Sequence, residues 1–413
     1  MKKIQTIIVL AAAVLTGCNS ESDSQQPTIC PVAPTSLQLT RAEQQMVTAS
    51  NDFAFKLFSE VQDGVKSQIV SPLSITFALG MLNNGAAGET QKQINDVLGF
   101  ADTGADGINT FCHKLLQGAG TLDPLTKVLI ANTIYMNKPY ELQTEFVQLA
   151  KTFYDAEPET RDFHDGMTRD VINQWGSDHT EGMIEEVLKE DEFNADAVSY
   201  LLNAIYFKGI WAMKFDKAQT QEEQFLHAGP TKEATYAQMM NQTTNFEYGE
   251  TADCQALRLP YGNGSFQMTV LLPKRRTNAL PKVPTAEEWQ QLDQQLTSQL
   301  VDVSLPRFET TTDIDLKSIM KKLGMPDAFD DEKADFSRFC NVPVYIGLMK
   351  QMAKVKLDEE GTEAAAITVI GEYTTAVGPG PEYITFRADH PFLYVISEQQ
   401  TGAILFIGQY TGY

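Results

Sequence analysis

The residue types that most often carry out chemistry are present in this chain, but their spacing matches no common catalytic or metal-binding pattern. Five histidines are scattered along the 413 residues, and none has the spacing of a zinc-binding pair: His113, His164, His179, His227 and His390. No nucleophile elbow, phosphate-binding loop or dinucleotide fingerprint occurs. The many carboxylates could serve a hydrolase, but spacing alone does not pair them as acid and base. We therefore expect no catalytic residue, no metal and no cofactor.

Composition and charge narrow the possible partners. The 32 basic and 54 acidic residues give a net charge of −22, which repels nucleic acid and anionic membranes. No basic cluster stands out, so we expect no nucleic-acid binding. A hydrophobic content of 43% is normal for a globular protein with a sizeable core.

The first residues have the pattern of an export signal. Lys2 and Lys3 precede an apolar run at 7–15, which is too short to span a bilayer. The run leads into the letters LTGC, ending at Cys18, which resemble the lipoprotein box of bacteria. That resemblance implies a signal peptide at 1–17 and a lipid on the cysteine; the alternative is an ordinary cleaved signal with an incidental cysteine.

A lipidated Cys18 would place the protein in the bacterial cell envelope, at the outer membrane or the cell surface. The lipid would be its only membrane contact. Residues 18–37 are polar and acidic and are predicted to be a flexible tether. Four other cysteines are widely spaced and predict no disulfide: Cys30, Cys112, Cys254 and Cys340.

Local signals predict helices early in the folded part. Ser71 can cap a helix whose first turn accommodates Pro72, and the following apolar residues have helical spacing. Thr90, with Gln93 three residues later, has the pattern of a capping box for the next helix. These signals predict two consecutive helices, the second ending at Gly99.

The apolar run SYLLNAIYF, at 199–207, predicts a strand that is buried on both faces. Asn203 lies in its middle. A buried amide is costly unless it finds hydrogen-bond partners, so we expect Asn203 to belong to a polar cluster inside an apolar sheet.

Further strands are predicted at 266–273 and 301–308, and two more are predicted in the tail around a turn at 400–402. Helices and strands are interspersed without strict alternation. This predicts a mixed α+β fold, not a doubly wound parallel sheet. No repeat or long linker follows residue 40, so residues 38–413 are predicted to form one domain.

The segment at 358–383, DEEGTEAAAITVIGEYTTAVGPGPEY, has two parts that differ in composition. It begins as a strand-like run of small residues and ends in Gly-Pro repeats typical of an exposed loop. A simple hairpin edge or a disordered loop explains the second part, but not a small-residue strand continuous with it.

Several stretches together resemble the serpin family. They are SPLSITFALGML from residue 71, LLNAIYFKGIWAMKF from 201, DEEGTEAAA from 358 and FRADHPFLYVI from 386. They occur in family order, with weaker matches between them, and cover essentially the chain from residue 40 to the end.

The resemblance implies a serpin fold with three β-sheets, about nine helices and an exposed reactive-centre loop at 361–378. It also implies a monomeric, irreversible inhibitor of serine proteases, or of cysteine proteases. The target cuts the loop, and the loop then inserts into the central sheet with the protease covalently attached. The alternative is a non-inhibitory serpin that acts as a binding or carrier module.

The same resemblance implies roles for individual residues. The hinge of the loop would comprise Glu359, Gly361, Thr362, Glu363, Ala364, Ala365 and Ala366. A polar cluster beneath the sheet, the shutter, would comprise Ser71, Ser74, Asn203 and Gln351, the last in place of the family's usual histidine. Trp211 would lie at the breach, where insertion begins.

The position of the cut bond follows from the family's usual spacing after Glu359. This spacing predicts a scissile bond between Thr375 and Ala376, which suits an elastase-like protease. The alternative bond, between Tyr373 and Thr374, suits a chymotrypsin-like protease. Ile367 is larger than the residue usual at its position and is expected to slow insertion.

Overall fold

The computed structural model describes residues 36–229, 234–362 and 382–413. Within these ranges the chain forms eight α-helices and two 3₁₀ helices. The α-helices are α1 Arg41–Val61, α2 Pro72–Asn83, α3 Gly88–Leu98, α4 Ala105–Ala119, α5 Thr144–Tyr154, α6 Thr168–His179, α7 Ala286–Gln295 and α8 Lys317–Leu323. None of the helices in the described ranges combines the length and apolarity needed to cross a membrane.

Fifteen strands occur in the described ranges. They are β1 Gln68–Val70, β2 Thr126–Asn137, β3 Glu159–Arg161, β4 Ser199–Ile210, β5 Gln221–Leu226, β6 Ala234–Glu250, β7 Cys254–Tyr261, β8 Phe266–Pro273, β9 Thr297–Pro306, β10 Phe308–Asp315, β11 Leu348–Asp358, β12 Gly361–Thr362, β13 Ile384–Arg387, β14 Phe392–Glu398 and β15 Ile404–Tyr410.

A six-stranded sheet, here called the central sheet, has the order β10-β11-β12-β4-β2-β3. Its long neighbours pair antiparallel, except that β4 and β11 also pair directly with each other and run parallel. The two-residue strand β12 lies between β4 and β11 at one end only. The central sheet is therefore split at one end by β12, Gly361–Thr362, which we call the wedge. Beyond the wedge, β4 and β11 pair directly and the sheet is closed.

The other nine strands form one continuous sheet. Its order is β1-β15-β14-β8-β7-β6-β9-β13, with β5 paired to β6 off this path. Strand β6 pairs with β7 only through 247–250, and with β5 through its first six residues. Because β6 is shared by two groups of strands, two of the three predicted sheets are joined. The predicted mixed α+β fold is confirmed, with eight α-helices and two hydrogen-bonded sheets in the described ranges.

The two faces of the central sheet pack against different helices. Alternate residues of β4 divide between two apolar clusters, because successive side chains of a strand point to opposite faces. Leu201 and Ile205 belong to the main core, which contains α2. Leu202 and Ala204 belong to a second cluster with Ile172 of α6. We call these the α2 face and the α6 face.

The helices on the α2 face begin partly as the sequence predicts. Ser71 caps α2, and its hydroxyl accepts a hydrogen bond from Ser74 N at 3.3 Å. The predicted capping box of the next helix is wrong. α3 begins before Thr90, after Ala87 at the cap, and the buried Thr90 hydroxyl accepts from Asp335 N at 2.9 Å.

Candidate functional site: the seam between β4 and β11

The line of contact between β4 and β11, here called the seam, pairs in parallel, whereas the other long neighbours of the central sheet pair antiparallel. Residues 348–354 of β11 pair parallel with 200–206 of β4. Above these pairs the strands are separated by β12. Gly361 lies between Asp358 and Ile210, and Thr362 lies between Leu357 and Gly209, antiparallel to both neighbours. The predicted hinge has thus entered the seam by two residues.

Gly361 fits this position because it has no side chain. Its φ is +146°, a conformation that favours glycine. A Cβ atom there would lie 2.6 Å from Ile210 Cα and 2.8 Å from Trp211 N, and closer still to the carbonyl oxygen of Gly209. All three atoms belong to the backbone, so they could not move aside cheaply.

Trp211 and Tyr261 hold the wedge in place at the end of the sheet. Trp211 N donates to Glu360 O at 2.7 Å, and the indole Nε1 donates to Asp358 O at 3.0 Å. The indole is stacked on the Tyr261 ring, with centroids 4.4 Å apart and planes 11° apart. The Tyr261 hydroxyl is 2.8 Å from Thr362 Oγ1, and burial raises the pKa of Tyr261, which keeps the phenol neutral.

Glu359 is a buried carboxylate next to the wedge. It is 1% exposed and receives hydrogen bonds from Arg307, whose Nε lies at 2.7 Å, and from the Thr220 hydroxyl. Its backbone carbonyl accepts from Phe215 N at 3.0 Å. Burial alone would raise the pKa of Glu359, but the bonds from Arg307 and Thr220 outweigh it, and the pKa is lowered. The carboxylate therefore stays charged and fixes the start of the hinge.

Glu360 forms a second anchor on the same segment. Its carboxylate pairs with Lys214 Nζ at 2.6 Å and with Lys217 Nζ at 3.2 Å. Burial opposes the charge, but the two lysines lower the pKa of Glu360. Both carboxylates before the wedge are thus held by residues outside β11.

The predicted shutter residues meet at the middle of the seam, on the α2 face. Gln351 Nε2 is 2.6 Å from Asn203 Oδ1 and 3.0 Å from Ser74 Oγ, and Gln351 Oε1 accepts from Ser71 N at 2.9 Å. The Ser74 hydroxyl donates to Asn203 Oδ1 at 2.8 Å. All four residues are buried, so their bonds stabilise the closed seam without competition from water.

A fifth member, Asn132 on β2, escaped the sequence analysis. Its Oδ1 accepts from Asn203 Nδ2 at 2.7 Å, and the two residues are directly paired across β2 and β4. Gln351 is paired with Asn203 in the same way, so three amides form a row across β2, β4 and β11. Like Asn203, Asn132 is an amide within an apolar strand, and that signal could have found it.

The remaining predicted site residues fall outside the described ranges. They are Cys18, Glu363, Ala364, Ala365, Ala366, Tyr373, Thr374, Thr375 and Ala376. Among the described cysteines, Cys112 and Cys340 are buried free thiols, and Cys254 is a partly buried one. A search of the described residues finds no group of side chains that could hold a metal ion.

Comparison with known proteins gives one consistent result. The family described as Serpin (serine protease inhibitor) matches residues 48–412. Serpin B6 of Macaca fascicularis is 32% identical over 375 residues, which cover 89% of this chain and 99% of that protein. Among solved structures, the thermophilic serpin tengpin in the native state has a TM-score of 0.82, with 27% identity, 93% of this chain and 97% of that chain covered. Human thyroxine-binding globulin has a TM-score of 0.80, with 25% identity, 89% of this chain and 98% of that chain covered.

Proposed function

The chain belongs to the serpin family, and on that premise we propose that it is a suicide-substrate inhibitor of serine proteases, with cysteine proteases as a second target class. A target protease attacks the reactive-centre loop and forms an acyl-enzyme. The loop then inserts into the seam before water releases the protease. The inhibitor supplies binding and a stored conformational change, and the protease supplies the catalytic groups.

One observation carries this proposal: the position of Gly361 and Thr362 between β4 and β11. The wedge is antiparallel to both neighbours, as an inserted loop must be. Below it, β4 and β11 pair only with each other at the seam, in the parallel direction, which is slightly less stable per residue than antiparallel pairing. Insertion would replace one parallel ladder with two antiparallel ladders, and this replacement supplies the driving free energy.

The register of the wedge predicts where later residues would lie after insertion. Continuing the antiparallel pairing would place Ala366 between Ala353 and Ile205. Ala353 and Ile205 belong to the main core. The small residues of the hinge would therefore enter a tightly packed face, where a larger side chain would force strain.

Two residues further along, Thr368 would lie between Gln351 and Asn203 on the same face. The 2.6 Å bond between these amides would have to break. A threonine hydroxyl can donate to one amide and accept from the other, so the buried groups would regain partners. The register thus predicts a specific role for Thr368 in the inserted state.

On the α6 face, the register changes the expectation for Ile367. Ile367 would lie between Met352 and Ala204, within the second apolar cluster. Its bulk would be buried against apolar side chains, so part of the expected delay is offset. On the same face, Glu363 would lie between Lys356 and Lys208, which favours insertion through opposite charge.

Insertion as far as the predicted scissile bond needs about 14 residues, or roughly 45 Å of new strand at about 3.3 Å per residue. The native state must then be held by kinetics, because the inserted form has the lower free energy. We further propose that Thr375 and Ala376 form the scissile bond, with an elastase-like target. Cutting between Tyr373 and Thr374, with a chymotrypsin-like target, is the alternative.

The deciding experiment mixes the purified protein with an elastase-like and a chymotrypsin-like protease. An SDS-resistant adduct supports inhibition, and sequencing of the released peptide identifies the cut bond. Cleavage without an adduct would contradict inhibition and favour a non-inhibitory carrier. Ala364→Arg, which puts a charge on the packed face, is expected to abolish the adduct but not cleavage. Glu363→Ala, on the α6 face between Lys356 and Lys208, should retain it.

We also propose that the protein acts as a monomer at a membrane surface, exported and anchored in the cell envelope of a bacterium by a lipid on Cys18. The support is the export signal and the LTGC pattern of the sequence. Mass spectrometry of the N-terminal peptide tests this proposal, since acyl chains on a cysteine at the new N-terminus would increase the mass of that peptide. An unmodified or intact N-terminus would contradict it.

A further inference from the structure

A lysine is buried in the lower part of the central sheet, far from the wedge. Lys350 of β11 is 1% exposed and points to the α6 face. Its Nζ pairs with Asp313 Oδ1 of β10 at 2.8 Å and with the Glu192 carboxylate. A buried ammonium is costly without partners, so these contacts hold a charge that the sheet could not otherwise contain.

Glu192 belongs to a different part of the chain from β10 and β11. It lies in the segment that leads from α6 into β4, in a turn that begins at Lys189. Glu192 Oε2 accepts from Lys189 N at 2.9 Å, and the Lys189 ammonium pairs with Asp313 Oδ2 at 2.6 Å. Two ion pairs therefore join this turn to β10 and β11.

The turn is fixed to the opposite side of the seam. At one end, Leu188 exchanges two hydrogen bonds with the Asn173 side chain of α6, at 2.8 Å and 3.1 Å. At the other end, Asn194 N donates to the Tyr200 hydroxyl of β4 at 2.7 Å. Because the turn is held by α6 and β4, its ion pairs to Lys350 and Asp313 cross the seam.

Insertion would separate the strands that these pairs connect. Lys350 is paired directly with Leu202 of β4, seven residues below the level of Thr362. A new strand would add about 4.8 Å between β4 and β11. The pair between Lys189 and Asp313, at 2.6 Å, cannot remain in contact over that displacement unless the turn leaves β4 and α6.

We propose that Lys189, Glu192, Asp313 and Lys350 form an ionic clamp that holds the lower seam closed and sets the rate of loop insertion. The inference rests on the proposed function, because it assigns positioning residues to the insertion step. The wedge opens the seam at one end, and the clamp resists its opening at the other. The clamp thus controls how often the acyl-enzyme is trapped and how often it is hydrolysed.

The test uses the double variant Lys189→Met/Glu192→Gln, which removes both seam-crossing pairs. It leaves Lys350 paired with Asp313, so no buried charge is abandoned. The Lys189 side chain is 50% exposed and that of Glu192 is 33% exposed, so neither substitution removes a packed core side chain. Glu309→Gln is the matched control, because Glu309 pairs with Lys354 at 2.8 Å across β10 and β11 only.

The measurement is the uptake rate of a fluorescein-labelled peptide with the sequence of residues 362–375, followed by anisotropy in the full-length protein. The double variant is expected to take up peptide about tenfold faster than wild type, since it loses two partly buried charge pairs. It should also form more adduct and less cleaved inhibitor with a target protease. Glu192→Gln alone should show a smaller increase, and Glu309→Gln should match wild type.

Equal uptake rates in wild type, both turn variants and the control would overturn the clamp while leaving the proposed function intact. An increase of the same size in Glu309→Gln would also overturn it, because the effect would then not depend on whether the lost ion pair crosses the seam. If no protein took up peptide and none formed an adduct, the proposed function itself would fail, and the clamp with it.

Discussion

Replacing Gly361 with alanine should expel the wedge from the seam. The new Cβ would lie 2.6 Å from Ile210 Cα and 2.8 Å from Trp211 N, and φ at this residue is +146°. Strain of this kind costs about 1–3 kcal/mol, and loss of the bond between Thr362 and Tyr261 adds roughly 1 kcal/mol. We expect the wedged state to be destabilised by about 2–4 kcal/mol relative to a state with β12 withdrawn.

Hydrogen–deuterium exchange with mass spectrometry measures this change at the wedge itself. The amide of Trp211 donates to Glu360 O at 2.7 Å and is protected only while the wedge is in place. Its exchange should rise by about 30-fold or more in Gly361→Ala. Adduct formation with a target protease should fall, because insertion must start again from a closed seam.

The matched control is Gly402→Ala in the turn between β14 and β15. Gly402 also has a positive φ, +74°, but no atom lies within 4 Å of its added Cβ. This variant reports backbone strain alone, about 1–2 kcal/mol, and should leave exchange at Trp211 unchanged. If Gly361→Ala also left that exchange unchanged, the packing argument for the hinge would be refuted.

Three further predictions follow from the site and its surroundings. The lowered pKa of Glu359 means that its contribution to stability is present above the ordinary value of 4.5 and is lost as the pH falls through the folded value. Urea unfolding should therefore show a smaller acid-induced loss of stability in Glu359→Gln than in wild type; an identical loss would contradict the assignment. Gln351→Leu should lower the free energy of unfolding by about 2–4 kcal/mol, because Ser71 N and Asn203 lose buried partners. Gln351→His should make the free energy of unfolding depend on pH between about pH 5 and 7, because a histidine at this position titrates there and the glutamine does not. Burial raises the pKa of Cys112 to about 12 and also raises that of Cys254; iodoacetamide at pH 8 should label Cys254 slowly and leave Cys112 unlabelled until the protein unfolds, and rapid labelling of Cys112 would show that the core is open.

The sequence predicts those features whose signal is local. The mixed α+β fold follows from the pattern of strands and helices, and Ser71 followed by Pro72 marks the start of α2. An amide inside an apolar run indicates a buried polar group, and the structure places Asn203 in the row with Asn132 and Gln351. The part that these residues play in insertion stays a prediction.

Other features depend on partners that are distant in the chain. The Thr90 hydroxyl has the spacing of a cap, but it bonds to the backbone of Asp335, 245 residues away, so its local pattern misleads. Arg307, the partner of Glu359, stands 52 residues before it with no motif to mark it. No rule of spacing predicts such pairs, because the sheet brings them together only after folding.

The joining of two of the three predicted sheets also depends on partners that lie apart in the chain. Strand β6 is 17 residues long, and its two ends pair with different neighbours. The sequence indicates the strand, but the pairing of each end depends on the register of β5 and β7. The hydrogen bonds of a shared strand join groups that the family description counts separately.

The stacking of Trp211 on Tyr261 gives the molecule an optical reporter of its own. The indole lies against the phenol that bonds Thr362, whereas the two other tryptophans, Trp175 and Trp289, lie on α6 and α7. Both the lengthening of the wedge by insertion and its withdrawal from the seam change the surroundings of Trp211 directly. The emission spectrum of Trp211 therefore distinguishes an inserted from a withdrawn wedge without an added dye. A protein with Trp175 and Trp289 replaced by phenylalanine would show the state of its central sheet by fluorescence alone, in real time.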